Sequence, residues 1–188
     1  MEKVVVLMST YNGEKYLRSQ IESLINQEDV QVDILVRDDG SKDETIKILQ
    51  EYKQSEAVKL NYYIGENIGP ARSFLELMKR APEAEYYAFC DQDDTWLPDK
   101  LKIAVDSIKK AFDDGNHICK DEIPVLYYGM PRFADNEGNL LKGPKGIYEK
   151  SLDFPSCLIK SNSTGCTMVF NRRLLEIIKS KSPGIITM

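Results

Sequence analysis

Short apolar runs alternate with amphipathic stretches along the first half of the chain. Four runs rich in β-branched or aromatic residues, at 4–8, 32–36, 59–64 and 86–90, predict buried β-strands. Apolar residues spaced three or four apart predict a helix after each run, within 14–27, 46–52, 70–78 and 98–108. Ser41 and Glu44 match a capping box before the second helix, and Pro70 suits the first position of the third.

Strands that alternate with helices of this length predict the fold class. They indicate a three-layer α/β/α sandwich around a mainly parallel sheet, and near-continuous apolar strands agree with burial on both faces. The second half is less regular. Strands are expected at 125–128 and 167–170, a turn at 135–139 between two short extended pieces, and a helix at 172–181, whereas 142–163 permits no assignment. A chain of 188 residues fits one domain.

Charge and composition narrow the function classes. The net charge is −5 without any run of Lys or Arg, which argues against nucleic acid as the partner. No apolar stretch approaches ~18 residues, so no membrane span is predicted. The first apolar run is too short for a signal sequence, and a cytoplasmic location is expected. Cys90 and Cys166 lie in apolar runs and are expected to be small buried hydrophobes, while the single histidine argues against zinc.

Polar residues follow each of the four predicted strands. In chain order they are Ser9, Thr10 and Tyr11, then Asp38 and Asp39, then Asn67 and Gly69 with Arg72 in the next helix, then Asp91, Asp93 and Asp94. Because the carboxyl ends of parallel strands meet at one edge of a sheet, a ligand site is expected there.

The three aspartates after the fourth strand indicate a cation. Each carboxylate raises the cost of ionising its neighbours, so a positive partner is expected beside Asp91, Asp93 and Asp94. The D-x-D pair suits Mg²⁺ or Mn²⁺, which take oxygen ligands from one or two carboxylates and from substrate phosphates. Such an ion neutralises the charge of a leaving diphosphate.

Each of these residues also has a simpler interpretation. Asp38 and Asp39 could be loop acids that cap the following helix, and Asp94 could cap the helix near Pro98. Tyr11 could be a surface aromatic residue. The combination is harder to explain in this way, since the predicted topology brings all of these strand ends together.

Five segments together resemble a known family. "STYNGEKYL", "VRDDGSKDET", "ENIGPARSF", "YYAFCDQDD" and "STGCTMVFNRRLL" occur in the order expected of family-2 glycosyltransferases, which have the GT-A fold. "DQDDTW" with "TGCTMVFNR" most resembles the bacterial rhamnosyltransferase-like branch. The resemblance implies metal-dependent, inverting transfer of a sugar from a UDP- or dTDP-sugar to a saccharide or lipid-linked acceptor in cell-surface polysaccharide synthesis. It also allows peripheral association with the inner face of the membrane.

The resemblance assigns Asp91 and five other residues to the nucleotide. Thr10 and Tyr11 would border the base, and Asp39 would accept a hydrogen bond from the uracil or thymine N–H. Asp38 would support the loop, and Arg72 would face the donor pocket.

The resemblance assigns a second group to the metal and the acceptor. Asp91 would lie near the ribose and diphosphate, Asp93 would be the metal ligand, and Asp94 would assist it. Gly165 and Cys166 would line the acceptor side, where small residues let a sugar approach.

One departure from the family pattern concerns the catalytic base. The branch is expected to carry it in an acidic motif after "TGCTMVFNR", and no acid follows Glu176, which lies in a predicted helix. We therefore expect a GT-A domain truncated after Met188, with a nucleotide-sugar-binding half at 1–115 and the start of an acceptor-binding half at 116–188. Such a chain would bind nucleotide and metal but transfer sugar poorly.

Three other functions fit parts of the sequence. "DQDDT" matches the D-x-D-x-T nucleophile motif of phosphatases, with Asp91 attacking and Asp93 as the acid/base, but that motif normally follows the first strand of the core. A sugar nucleotidyltransferase would need a Gly-rich basic loop after the first strand, and "STYNGEKYL" lacks one. A non-catalytic module that binds nucleotide sugars is the third alternative.

Overall fold

The computed structural model describes residues 1–113, 123–135, 139–142 and 165–181. Its strands are β1 (Glu2–Thr10), β2 (Val30–Asp38), β3 (Lys59–Ile64), β4 (Tyr86–Asp91), β5 (Leu126–Tyr128), β6 (Phe133–Ala134), β7 (Leu140–Leu141) and β8 (Met168–Asn171). Its helices are α1 (Leu17–Ile25), α2 (Thr45–Gln54), α3 (Pro70–Arg80), α4 (Lys100–Asp113) and α5 (Arg172–Ser180), with a 3₁₀ turn at Gly165–Thr167.

Six strands form the central sheet in the order β3-β2-β1-β4-β8-β5. β1 pairs in parallel with β2 and β4, and β2 pairs in parallel with β3, whereas β8 is antiparallel to β4 and β5. The register places Thr10 opposite Asp38, and Ser9 opposite both Arg37 and Asp91. The carboxyl ends of β1, β2 and β4 therefore finish at one level of the sheet.

Helices cover both faces of this sheet. Val4, Val6 and Met8 of β1 point to one face and belong to a core that includes buried residues of α1, α2 and α4. Val5 and Leu7 point to the other face and pack in a second core with residues of α3 and α5. This alternation is the period of two along a strand with both faces buried. The predicted three-layer α/β/α architecture is thus confirmed.

The predicted starts of two helices were wrong. α2 begins at Thr45 rather than after Ser41, and Glu44 at its N-cap makes no capping side-chain hydrogen bond. The Ser41 hydroxyl donates instead to Asp38, so this serine belongs to the loop after β2. The fourth helix begins two residues after Pro98, at Lys100. Pro70 does occupy the first position of α3.

The second half agrees with the prediction where it is described. The two short extended pieces are β6 and β7, joined where the Asp135 N–H donates to the Asn139 carbonyl at 3.0 Å. Residues 136–138 of the predicted turn, and 143–163 of the unassigned stretch, lie outside the described residues. Among the helices that the structure describes, none combines the length and apolar character needed to cross a membrane.

Candidate functional site

A pocket of about 300 Å³ lies beyond the carboxyl ends of β1, β2 and β4, beside the start of α3. Its lining residues come from four separate segments of the chain: Ser9, Thr10, Tyr11, Asp39, Asn67, Gly69, Pro70, Asp91, Gln92 and Asp93. Five of the predicted site residues are among them, namely Thr10, Tyr11, Asp39, Asp91 and Asp93. The structure therefore brings the loop acid of β2 and the acidic segment after β4 to one pocket.

Asp38 lies beneath the pocket and does not line it. Its carboxylate is fully buried and accepts from the Thr10 hydroxyl at 3.0 Å, from the N–H groups of Gly40 and Ser41 at 3.0 and 2.8 Å, and from the Ser41 hydroxyl at 2.5 Å. Gly40 has φ +82°, a conformation that L side chains rarely adopt. Asp38 thus ties the turn after β2 to the end of β1 and caps no helix.

Asp39 is held by groups from two directions. Its side chain forms an ion pair with Arg37 and accepts from the N–H groups of Ile68 at 3.2 Å and Gly69 at 3.0 Å. Asp39 and Arg37 are 3% and 4% exposed, so the pair is shielded from water. Gly69, with φ +79°, immediately precedes α3. The carboxylate therefore fixes the loop that forms one wall of the pocket.

Gln92, the middle residue of the D-x-D segment, connects β1 to β4. Its amide accepts from the Tyr11 N–H at 2.8 Å and donates to the Tyr11 carbonyl at 3.1 Å. A Cβ at Gly13 would collide with this amide and displace it from its hydrogen bonds with Tyr11. Tyr11 keeps 44% of its surface exposed at the pocket. The sequence alone did not single out Gln92, because its partner lies 81 residues away.

Of the three aspartates at the end of β4, Asp91 and Asp94 lie close together, and Asp93 is apart from them. Carboxylate oxygens of Asp91 and Asp94 and the Cys166 Sγ all lie within 4.8 Å of one another, whereas Asp93 is exposed and lines the pocket. Burial, followed by the charges of Asp94 and Asp93, raises the pKa of Asp91. Asp94 Oδ2 is buried without a hydrogen-bond partner among the described residues.

Lys100 supplies a positive charge that sequence reasoning missed. Its ammonium donates to the Cys166 carbonyl at 2.6 Å and lies 3.2 Å from the centre of the Trp96 ring. Burial lowers its pKa to about 8, although the charges of Asp94 and Asp91 act in the opposite direction. One signal was available in the sequence. A lysine in the first turn of the helix predicted to begin at Pro98 opposes the helix dipole, so another interaction should hold it there.

The remaining predicted residues are not among those that line the pocket. Arg72 is exposed in the first turn of α3, and a Cβ at Gly165 would meet open space. Cys166 is buried as predicted, but it faces acids rather than apolar side chains alone. Burial and the hydrogen bond with Asp94 raise the pKa of its thiol to about 12. Glu176 is exposed in α5 and pairs with Arg173 at 3.2 Å.

The carboxylate oxygens of the acidic segment after β4 are suitable ligands for a hard divalent cation. Asp91 and Asp94 offer carboxylate oxygens within 4.8 Å of each other, and Asp93 offers another at the pocket. Mg²⁺ and Mn²⁺ prefer such ligands, and the buried Oδ2 of Asp94 has no hydrogen-bond partner among the described residues. Hard cations disfavour a sulfur ligand, so Cys166 is not expected among the ligands of Mn²⁺ or Mg²⁺.

Comparison with known proteins identifies the family. The family model described as "Glycosyl transferase family 2" matches residues 5–177. The chain belongs to glycosyltransferase family 2. The predicted family is therefore confirmed, and the same assignment leaves the phosphatase alternative without support.

Two bacterial relatives illustrate the similarity of this family 2 chain. It is 31% identical to the "dTDP-rhamnosyl transferase RfbG" of Shigella flexneri over 89% of its length and 55% of that protein. It is 33% identical to the "Putative teichuronic acid biosynthesis glycosyltransferase TuaG" of Bacillus subtilis over 53% of its length and 39% of that protein. The first relative agrees with the rhamnosyltransferase-like resemblance. The chain spans about half the length of this relative.

Solved structures of glycosyltransferases share the fold of the family 2 chain. S. aureus TarS 1–349 in complex with UDP-GlcNAc superimposes with a TM-score of 0.69 at 21% identity, over 96% of this chain and 47% of that one. The mannosyltransferase PcManGT of Pyrobaculum calidifontis, in complex with GDP-Man and Mn²⁺, gives 0.50 at 23% identity over 54% and 31%. These superpositions confirm the predicted GT-A fold class.

Proposed function

We propose that this chain binds a nucleoside diphosphate sugar together with Mn²⁺ or Mg²⁺, as the donor domain of an inverting glycosyltransferase. The sugar passes to a saccharide or lipid-linked acceptor in the synthesis of a cell-surface polysaccharide. Membership of family 2 supports the class of reaction, and the names of the relatives support the type of polymer.

One observation carries the proposal. Asp39 at the end of β2 and Asp93 after β4 line the same pocket, together with Asp91. A nucleoside diphosphate needs such a combination, because its base and its diphosphate lie at opposite ends of the molecule. Tyr11, exposed at the rim, offers an aromatic face on which a base can stack.

The chemistry follows from the roles of the acids. The acceptor hydroxyl oxygen forms a bond to the anomeric carbon, the bond from that carbon to the diphosphate oxygen breaks, and the hydroxyl proton passes to a base. Asp93, Asp91 and Asp94 would hold the divalent cation, which supplies charge neutralisation for the leaving diphosphate. The positive charge of Lys100 partly offsets the burial and the neighbouring charges that raise the pKa of Asp91. No described carboxylate is assigned as the base.

The donor is proposed to carry uracil or thymine. The first relative is named as a dTDP-rhamnosyl transferase, and TarS is solved with UDP-GlcNAc. Both nucleotides have a pyrimidine with a ring N–H, for which Asp39 is an acceptor at the pocket.

A thermal-shift panel tests the proposal. UDP, dTDP, GDP and CDP are each added with Mn²⁺, with Mg²⁺ or with a chelator, and the melting temperature is recorded. At a ligand concentration of ~100 Kd, binding adds about 2.7 kcal/mol of stability, which is a readily measured shift. We expect stabilisation by UDP or dTDP that needs metal and disappears in Asp93→Asn.

Two outcomes would contradict it. No stabilisation by any nucleotide with metal would remove the donor-binding role. Equal stabilisation of Asp93→Asn and the wild type would remove the metal role of this acid. Asp106→Asn is the matched control, since this exposed aspartate of α4 lies outside the pocket. Nucleotide binding by a longer chain that transfers no sugar would favour the non-catalytic module.

A further inference from the structure

Arg37, the penultimate residue of β2, is a buried cation that the proposed chemistry does not use. It is 4% exposed and forms an ion pair with Asp39. Its Nη2 donates to the Glu66 carbonyl at 2.9 Å, and its Nη1 donates to the Ser73 hydroxyl at 3.4 Å. The guanidinium therefore joins β2 to the loop before α3 and to α3 itself.

The loop around Arg37 is shaped to receive the guanidinium. A Cβ at Gly65 would collide with Arg37 Nη2, and the Gly65 N–H donates to the Asp38 carbonyl at 2.8 Å. The Ser73 hydroxyl accepts from Ser9 of β1 at 2.7 Å. Arg37 thus lies at the point where three walls of the pocket meet.

These contacts leave the Asp39 carboxylate with few free positions for accepting a hydrogen bond. An ionised carboxylate has about four acceptor positions. The N–H groups of Ile68 and Gly69 occupy two of them on Oδ2, at 3.2 and 3.0 Å, and the Arg37 guanidinium lies against the buried Oδ1 as an ion pair. A ligand at the pocket can therefore place at most one donor on Asp39.

We propose that Arg37 is a positioning residue that makes Asp39 selective for a base with a single ring N–H. This inference rests on the proposed function and names the part of the donor that the site discriminates. Uracil and thymine present one N–H between two carbonyl groups. Cytosine presents a ring-nitrogen lone pair at the same position, which a carboxylate repels, and guanine presents two adjacent donors.

The role of Arg37 is to fix both the charge and the position of the acceptor. A buried carboxylate without its cation loses its compensation and reorganises with its loop. The pocket then keeps its general shape, but the acceptor no longer occupies one defined position. Discrimination between bases is expected to fall, while binding of the diphosphate with metal at Asp93 is retained.

Two variants remove the contact in different ways. Arg37→Gln removes the charge and the fork of donors. Gly65→Ala keeps the charge and displaces the guanidinium by its added methyl group, at a glycine without positive φ. Gly129→Ala is the matched control, because a Cβ there makes only ordinary contacts of 3.6 Å or more with Tyr127.

The experiment measures the affinities of UDP, CDP, GDP and inorganic pyrophosphate in the presence of Mn²⁺ by calorimetry. A hydrogen bond to a charged group corresponds to about a tenfold to a hundredfold difference in affinity. We expect the wild type and Gly129→Ala to prefer UDP over CDP and GDP by at least about tenfold. Arg37→Gln and Gly65→Ala should reduce this preference to below about threefold and leave pyrophosphate affinity unchanged.

An unchanged preference for UDP over CDP and GDP in both variants would overturn the inference. A loss of pyrophosphate affinity in parallel with that of the nucleotides would also overturn it, because it indicates a merely structural role. Equal binding of all nucleotides by the wild type would also overturn it, together with the proposed uracil or thymine donor, and would leave the binding of a nucleoside diphosphate with metal intact. If Arg37→Gln does not fold, Gly65→Ala decides the question alone. A wild type that binds none of these nucleotides contradicts the proposed function itself.

Discussion

Asp91→Asn should stabilise the metal-free protein while weakening its response to metal. The substitution keeps the shape of the side chain at the end of β4 and removes one negative charge from the acid cluster. Burial and the charges of Asp94 and Asp93 raise the pKa of Asp91, so its ionised form is disfavoured in the folded state. An amide at this position carries no such penalty, and sites of this kind commonly exchange stability for function.

The size of the effect follows from the distances. Two unit charges 4.8 Å apart, the upper limit for Asp91 and Asp94, repel by about 3.5 kcal/mol at an effective dielectric constant of ~20. The attraction of Lys100 for Asp91 is lost at the same time, and solvent screens part of both interactions. We expect a net gain of about 1 kcal/mol in the free energy of unfolding at pH 7.

The gain should also depend on pH in a defined direction. Because the folded-state pKa of Asp91 is raised above the ordinary value of 3.8, the folded wild type binds more protons than the unfolded chain just above pH 3.8. The contribution of Asp91 therefore becomes less favourable as pH rises through the folded-state pKa. The advantage of Asp91→Asn should accordingly grow from pH 4 to neutral pH.

Urea unfolding followed by far-UV circular dichroism measures both effects. The wild type and Asp91→Asn are compared in a chelator and then in Mn²⁺, where the wild type should gain more stability than the variant. Asp106→Asn, at an exposed position 3.5 Å from Lys102, should stay within about 0.5 kcal/mol of the wild type. Lower stability of Asp91→Asn than of the wild type in the chelator would rule out a net repulsion at Asp91.

Two further predictions concern Asp38 and Lys100. Asp38→Ala leaves the buried donors of Thr10, Gly40 and Ser41 without their acceptor. It should therefore lower the free energy of unfolding, measured by urea titration, by about 2–4 kcal/mol. A loss below ~0.5 kcal/mol, or one no greater than that of Asp106→Ala, would contradict this prediction. Burial lowers the pKa of Lys100 to about 8 from 10.5, so the unfolded chain binds more protons between these values. Wild-type stability should therefore rise with pH across that range by up to about 3 kcal/mol relative to Lys100→Met, and equal slopes for the two proteins would count against it.

The fold could be predicted from local sequence patterns because buried residues of strands and helices are apolar at characteristic positions. Residues 4–8 are apolar at every position, which indicated a strand buried on both faces, and β1 is packed on both sides. The placement of Asp39 and Asp93 near one another followed from topology, since parallel strands end at a common edge. The starts of α2 and α4 were less predictable, because Ser41 hydrogen-bonds to Asp38 instead of capping the helix.

The amino-acid pattern was enough to indicate the alternation of strands and helices, the acids at the strand ends and the family. Which atoms meet depends on the packing of the folded chain. Three hydrogen bonds show this, and each joins residues that are far apart in the sequence. Lys100 donates to Cys166, 66 residues away, and the Tyr11 N–H donates to Gln92, 81 residues away. Arg37 donates to Ser73, 36 residues away. Hydrophobic periodicity records whether a residue is buried, but strand register and helix packing set the distances between residues that are far apart along the chain. The separation of Asp93 from the pair of Asp91 and Asp94 arises in the same way.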